Sequence, residues 1–409
     1  MPKKMPTQLL NIFLVLNSAI ILVPDKFKGV PVIGLLLSTI YYYVVNKSDN
    51  KFKFKLFFIS TSFFLILLLS ILYSEDLSYA FRKLETGLSL IAYPIVFVLI
   101  YNCKEQINKS VIQTLKWVFI LTLVFFLVTT FTYYFLTEPY YTFKSTIIHY
   151  HTLVDLRIIG YEIHSIYLSM HIGVAIIFLI DIIYNIKRPK VIYPVLLLIL
   201  LFVFLAILNK KGPIIGLGIV GILYFIKTKT KSKTALYFLI FGGIFMLTLV
   251  FIPKFNNINR FKELVDIEGL TKNPKSSTAT RLMIYKCAII QAIESPIIGY
   301  GWGDTRDVLN ECYEANPNIS VRSYNTHNQF LSILLHAGVI GLFVFLYYFY
   351  YIFKFSNKNR NQLLFFLLLY FGLNMLSENI LEREDGVIFY SFFINLFLFT
   401  SKLNESTET

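Results

Sequence analysis

Apolar residues come along this chain in long runs separated by short polar breaks. The runs fall at about 8–23, 29–45, 56–73, 84–101, 111–136, 162–184, 192–208, 212–226, 234–252, 328–353, 361–377 and 386–400. Crossing a hydrocarbon layer takes about 20 predominantly apolar residues in helical conformation. Each run is therefore read as a membrane-crossing helix, and the pattern predicts an all-α polytopic membrane protein with about 12 transmembrane helices. No repeat of 20–50 residues is visible. The first run follows a basic start and lacks a small-residue cleavage site. It is read as a retained helix rather than a cleaved signal.

One interval breaks the rhythm. Residues 253–327 are far less apolar, and they divide the chain into helices 1–9 over 1–252, a large loop over 253–327, helices 10–12 over 328–400 and a tail over 401–409. Inside the loop, 278–296 reads as an amphipathic helix. Arg281, Tyr285, Ala288, Ala292 and Ser295 recur there at helical spacing on one face. Pro296 ends that helix, and Gly299, Gly301 and Gly303 form a turn around Trp302.

Composition narrows the class further. Of 409 residues, 56% are hydrophobic and 15% charged, and the mean hydropathy is +0.64. Soluble domains average about 25% charged residues, and disorder needs low hydrophobicity, so both are excluded. The net charge of +14 would suggest nucleic acid on a soluble protein, but here its distribution decides. Loops on the side of the two termini carry 19 Lys and Arg, against nine in the short loops opposite. Cytoplasmic loops hold the excess, so both termini and the 401–409 tail are placed in the cytoplasm and 253–327 outside. That loop has nine basic and eight acidic residues between 253 and 325. The basicity is thus cytoplasmic, the run KTKTKSK at 227–233 is a topology anchor, and no nucleic-acid partner is expected. Cys103, Cys287 and Cys312 form no metal spacing; Cys287 and Cys312 share the outer loop, where a disulfide is open to them.

With this topology, unusual polar residues from five stretches gather at the outer face. They are His164, Lys210 with Lys211, Arg281, His327, and Glu378, Glu382 and Arg383. Cations prevail, which suits an anionic ligand such as a phosphate or pyrophosphate. Lys210 and Lys211 sit in a very short connection before Gly212 and Pro213, at the start of a helix whose free N–H groups also favour anions. Arg281 offers a bidentate clamp for an oxyanion. His327 precedes Leu331, Leu334, Gly338 and Gly341 on one helix face, a neutral imidazole placed to take a proton from a hydroxyl. GYGWG follows no strand and is not a nucleotide loop. His336, His149 and His151 give weaker signals, and no metal site is expected.

These motifs resemble the O-antigen ligase and O-antigen polymerase family of bacterial membrane proteins. HNQFLSILLHAGVIGL fits its His-Asn motif with the following Leu and Gly positions; Arg281 with SPIIGYGWG fits its Arg and Pro-x-x-Gly-x-Gly segment. LNKKGPII stands where the family has Ser-Arg-Gly or Ser-Ser-Lys, and LSENILEREDG and HSIYLSM are similar to segments of Bacteroidetes-type members. The family's Ser is Asn209 or Lys210 here, its Pro after the first His is Ser165, and Lys211 is preferred as the basic position because glycine follows it. The resemblance implies a glycosyltransferase of the bacterial inner membrane, with 253–327 periplasmic. Its donor would be an undecaprenyl-diphosphate-linked glycan and its acceptor lipid A–core, another lipid-linked unit or a protein, with no metal and no cofactor. It implies His327, Arg281 and Lys211 as catalytic residues, and Lys210, His164, Glu378, Arg383 and Trp302 as substrate-binding ones. A lipid-linked glycan flippase is the rival from another class, and it should show paired halves with interrupted helices near the midplane; none are visible.

Overall fold

The computed structural model describes residues 4–46, 53–101, 107–137, 142–156, 161, 163–185, 191–228, 277–315 and 324–400. Their helices are α1 (Lys4–Ser18), α2 (Gly29–Asn46), α3 (Phe54–Ser70), α4 (Leu77–Gly87), α5 (Ser89–Ile100), α6 (Lys109–Thr137), α7 (Phe143–Leu153), α8 (Ser165–Asn185), α9 (Ile192–Leu208) and α10 (Lys211–Thr228). After them come α11 (Ser277–Glu294), α12 (Thr305–Glu314), α13 (Gln329–Lys358), α14 (Gln362–Met375) and α15 (Glu384–Thr400).

Eleven of the twelve predicted apolar runs coincide with helices; the ninth, 234–252, lies outside the described residues, as do 253–276, the tail 401–409 and Cys103. Among the described residues six stretches are long and apolar enough to cross a membrane: Asp25–Asn46, Phe54–Tyr73, Leu77–Ile100, Lys109–Thr137, Ser165–Asn185 and Gln329–Lys358. Ile192–Leu208 and Gln362–Met375 are apolar but shorter. At 1.5 Å rise per residue they are about 25 and about 21 Å long, short of a hydrocarbon core of about 30 Å. The six are counted among the described residues, so the 234–252 run falls outside the count, and length alone keeps Ile192–Leu208 and Gln362–Met375 out.

α8 and α15 form the centre. Every residue of α15 from Gly386 to Thr400 is buried, as is nearly all of α8. Their interface is aromatic: His171 stacks on Phe389 with ring centroids 3.8 Å apart, and Phe119, Phe178 and Phe393 close around them. Lipid tails are as apolar as these side chains, so dispersion from close packing holds such helices together. Outward-facing positions are large and apolar, among them Leu37, Val44, Leu121, Phe125, Val203 and Ile222. Lys116 pairs with Asp181 at 2.6 Å and ties α6 to α8. Lys28 pairs with Asp25 and with Asp385 near the start of α15.

α13 is not continuous. Gly338 has φ +62 and its neighbour Ala337 is also non-helical, which frees backbone groups on both sides of the break. The segment 296–301 supplies partners for them. Tyr300 N–H donates to the Leu335 carbonyl (2.8 Å), Gly301 N–H to that of His336 (3.0 Å), and Val339 N–H to that of Pro296 (2.8 Å). A side chain on Gly338 would strike the Ile297 carbonyl, and one on Gly299 the Leu335 carbonyl. Gly299 and Gly301 of the expected turn and Gly338 of the helix face below His327 thus lie on the two sides of one backbone splice.

The amphipathic helix expected at 278–296 is α11. Ile284, Cys287, Ala288 and Ala292 pack against Leu309, Cys312 and Tyr313 of α12 and Leu335 of α13, and Cys287 is disulfide-bonded to Cys312. Leu282, Ile289, Ile290 and Ile293 face outward, continued by Ile297 and Ile298.

Candidate functional site

Six helix termini meet at one end of the bundle: the starts of α8, α10, α13 and α15 and the ends of α9 and α14. The triplet His327–Asn328–Gln329 organises this end by gripping the turn after α14. Asn328 caps α13, its Oδ1 accepting from Phe330 and Leu331 N–H, while its Nδ2 donates to the Leu376 carbonyl at 3.2 Å. A side-chain acceptor there satisfies N–H groups that the first turn leaves unpaired. Gln329 Oε1 accepts from Leu381 N–H at 2.8 Å. Tyr285 of α11 donates to the carbonyls of His327 and Leu376, both at 3.2 Å.

His327 itself faces Glu378, with Nδ1 and Oε2 3.4 Å apart; the side chains are 23% and 7% exposed. His327 has φ +45, a left-handed conformation uncommon for a side chain of this size. Its N–H donates to Asn325 Oδ1. Glu378 is held below the ordinary carboxylate range: burial alone would raise it, but His327, Arg281 and His164 together lower it. A buried carboxylate is thereby kept ionised by groups from α11, the α13 entry and the α8 entry. His164 is lowered by burial, with Arg383 and Lys210 adding to this against the opposing pull of Asp155 and Glu378. It is therefore mostly neutral at pH 7.

His327, Glu378, Arg281, His164, Lys210 and Arg383 thus act on one another across five chain segments. Lys211 is the first residue of α10, and Asn209 before the pair has φ +47. A Cβ on Gly212 would lie 2.6 Å from Ser377 Oγ, so the start of α10 packs directly beside the Glu378 turn. Trp302 does not join this group. Its side chain is 1% exposed and its ring lies against Gly87, so a packing position takes the place of the expected sugar-binding one. Tyr324 is half exposed, with its ring centroid 5.7 Å from that of His327. Tyr300 donates to the Gln291 carbonyl on α11. His149 and His151 bond to carbonyls of their own helix, α7. Among the described residues no group of His, Cys, Asp and Glu is arranged to hold a metal ion.

Directly beneath lies a buried polar network. Glu382 accepts from Lys83 Nζ at 3.1 Å and Asn379 Nδ2 at 2.8 Å, and also from Ser332 Oγ. His336 Nε2 lies 3.4 Å from Glu382, and its Nδ1 2.6 Å from Thr305 Oγ1. Burial would raise the Glu382 carboxyl, yet Lys83, His336 and Ser332 hold it far below the usual range. Sequence reasoning noted Glu382 and ranked His336 low; it missed Lys83, Ser332, Asn379 and Thr326. The available signal was a lysine immediately before the fourth apolar run that counted only as a loop charge.

A family model described as O-antigen ligase matches residues 195–346. The matched stretch includes Lys210, Lys211, Arg281, Trp302 and His327, whereas His164, Glu378, Arg383 and Lys83 lie outside it. The resemblance read from the motifs to the O-antigen ligase family is borne out over that stretch, and it supports glycosyl transfer of the O-antigen ligase or polymerase type. No curated protein matches the chain.

Proposed function

Taking residues 195–346 as an O-antigen ligase domain, we propose that the chain transfers an undecaprenyl-diphosphate-linked glycan to a sugar hydroxyl at the periplasmic face of the bacterial inner membrane. The preferred acceptor is lipid A–core. The observation that carries this reading is the His327–Glu378 pair at 3.4 Å, with Arg281 acting on the same carboxylate. Glu378 accepts from the imidazole Nδ1–H and so fixes its tautomer, leaving the other nitrogen as proton acceptor.

In the proposed step the acceptor hydroxyl gives its proton to His327 as its oxygen bonds to the anomeric carbon of the donor sugar. The bond from that carbon to the diphosphate oxygen breaks, and undecaprenyl diphosphate leaves with the electron pair. Arg281, Lys211 and Lys210 stabilise the charge that develops on the leaving diphosphate. Lys210 and Arg383 add positive potential near His164, which at neutral pH is a hydrogen-bonding group for the glycan rather than a further cation. The outward apolar face of α11 rests on the outer lipid surface, and the Cys287–Cys312 bond suits an oxidising compartment.

The test is a transfer assay on the purified full chain with a fluorescent undecaprenyl-diphosphate oligosaccharide. Lipid A–core, a second lipid-linked oligosaccharide and a protein are offered as acceptors in separate reactions. Transfer to lipid A–core is expected. Transfer to the second lipid-linked unit alone makes the protein a polymerase, and transfer to protein alone an O-oligosaccharyltransferase. Movement of the donor across vesicles without transfer makes it a flippase and overturns the reading.

A further inference from the structure

We infer that Lys83 is a positioning residue for the His327–Glu378 pair, acting through the buried chain Glu382, Asn379 and Thr326. The inference rests on the glycosyl-transfer reading above and deepens it. Lys83 stands on α4, more than a hundred residues before the matched stretch, and its side chain is 15% exposed against 5% for Glu382. A carboxylate this deeply buried is costly unless charge and hydrogen bonds compensate it, and Lys83 is the lysine paired with it, at 3.1 Å.

From Glu382 the contacts lead straight to the site. Its Oε1 accepts from Asn379 Nδ2, and Asn379 Oδ1 accepts from Thr326 Oγ1 at 3.1 Å. Asn379 follows Glu378 in the chain, and Thr326 precedes His327. The Thr326–Asn379 bond and the His327–Glu378 contact are thus adjacent rungs between the same two segments. The Asn379 carbonyl is fixed in addition by the Tyr167 hydroxyl at 3.1 Å. Ser332 and His336 bind the same carboxylate from α13, and Thr305 of α12 holds His336. The start of α13 and the turn after α14, the two segments that carry His327 and Glu378, are therefore both referred to one anion, and Lys83 keeps it an anion. Without the lysine, Glu382 takes up a proton or turns away, Asn379 loses its charged acceptor, and the lower rung loosens. The left-handed backbone of His327 then has less to hold it. A displacement of about 1 Å at a reacting group costs on the order of 10²-fold in rate.

The experiment measures donor binding and single-turnover transfer separately, using the purified full chain and the fluorescent undecaprenyl-diphosphate oligosaccharide. Lys83→Met is expected to lower the single-turnover rate on the order of 10²-fold while donor Kd stays within about twofold. Lys83→Arg restores most of the rate, because the positive charge remains. Placed on a His327→Ala background, Lys83→Met adds no further loss, since residues that act as a unit are non-additive. A normal rate for Lys83→Met overturns the inference, as does an undiminished further loss on the His327→Ala background. Should Lys83→Met not accumulate, Thr326→Val cuts the chain at its far end with the ion pair intact. The same fall is expected there, and a normal rate overturns the proposal. His327→Ala alone separates the two claims: if it transfers normally the glycosyl-transfer mechanism itself fails, whereas its loss beside an active Lys83→Met removes only the role of Lys83.

Discussion

His327 Nδ1 and Glu378 Oε2 meet at 3.4 Å although 51 residues of sequence separate them. A carboxylate so placed holds the imidazole in one tautomer, as the proposed general-base role of His327 requires. His327→Ala is expected to reduce single-turnover transfer by about 10²–10⁴-fold with donor binding retained. Glu378→Gln keeps the shape of the side chain and should lose a smaller part of the rate. If Glu378→Gln equals the wild type, the carboxylate does not orient the base.

The cations are expected to act on the leaving diphosphate. Lys211→Ala and Arg281→Ala should each abolish transfer while the protein still accumulates in the membrane. Lys211→Arg should keep partial activity, because charge is retained and geometry changes. Near-normal transfer by both alanine variants would make these residues interfacial anchors.

Acid should unfold the protein through Glu378 and Glu382. Both are held below the ordinary carboxylate range in the folded state, against about 4.3 for an unperturbed glutamate. The folded state then binds fewer protons than the unfolded one. The stability they contribute is fully present above about pH 4.3 and is lost as pH falls through the folded values. Thermal unfolding in detergent should therefore drop steeply below that pH for the wild type and less steeply for Glu382→Gln. Equal slopes would show that the carboxylate is not linked to folding.

Gly338→Ala should destabilise the fold. Its φ of +62 and ψ of -162 lie in a region nearly restricted to glycine, where another residue costs about 1–3 kcal/mol, and the alanine methyl would also meet the Ile297 carbonyl. Gly218→Ala is the control, since a Cβ there has open space and alanine favours helix. Unfolding midpoints of the two variants in one detergent decide it; a loss no larger for Gly338→Ala than for the control contradicts the splice.

Orientation is tested by single-cysteine labelling in intact cells at Lys229→Cys and Lys272→Cys. An impermeant reagent is expected to label position 272 and spare 229. The reverse result would place the candidate site on the cytoplasmic side.

The apolar helices were legible because a lipid environment demands continuous apolar runs, and eleven of twelve runs carry helices. The charged members of the site were legible as well, since cations and histidines at helix ends stand out against so apolar a background. What local sequence does not carry is partnership over distance. Lys83 and Glu382 lie 299 residues apart, and nothing near Lys83 distinguishes it from an ordinary interfacial lysine. Trp302 shows the same limit from the other side. A tryptophan among glycines reads equally well as an exposed sugar platform or as a packed ring, and Gly87, from another part of the chain, decides for packing.

The splice between 296–301 and the break in α13 has a consequence for what can be exchanged among related proteins. The 296–301 segment supplies hydrogen-bond partners on both sides of the break in a helix that belongs to the bundle, so neither part is a self-contained module. A graft that swaps residues 253–327 alone would set a foreign backbone path against the native break and misalign the N–H groups that meet the Leu335 and His336 carbonyls. The natural unit of transplantation runs from the start of α11 through Gly341, with both sides of the seam moved together.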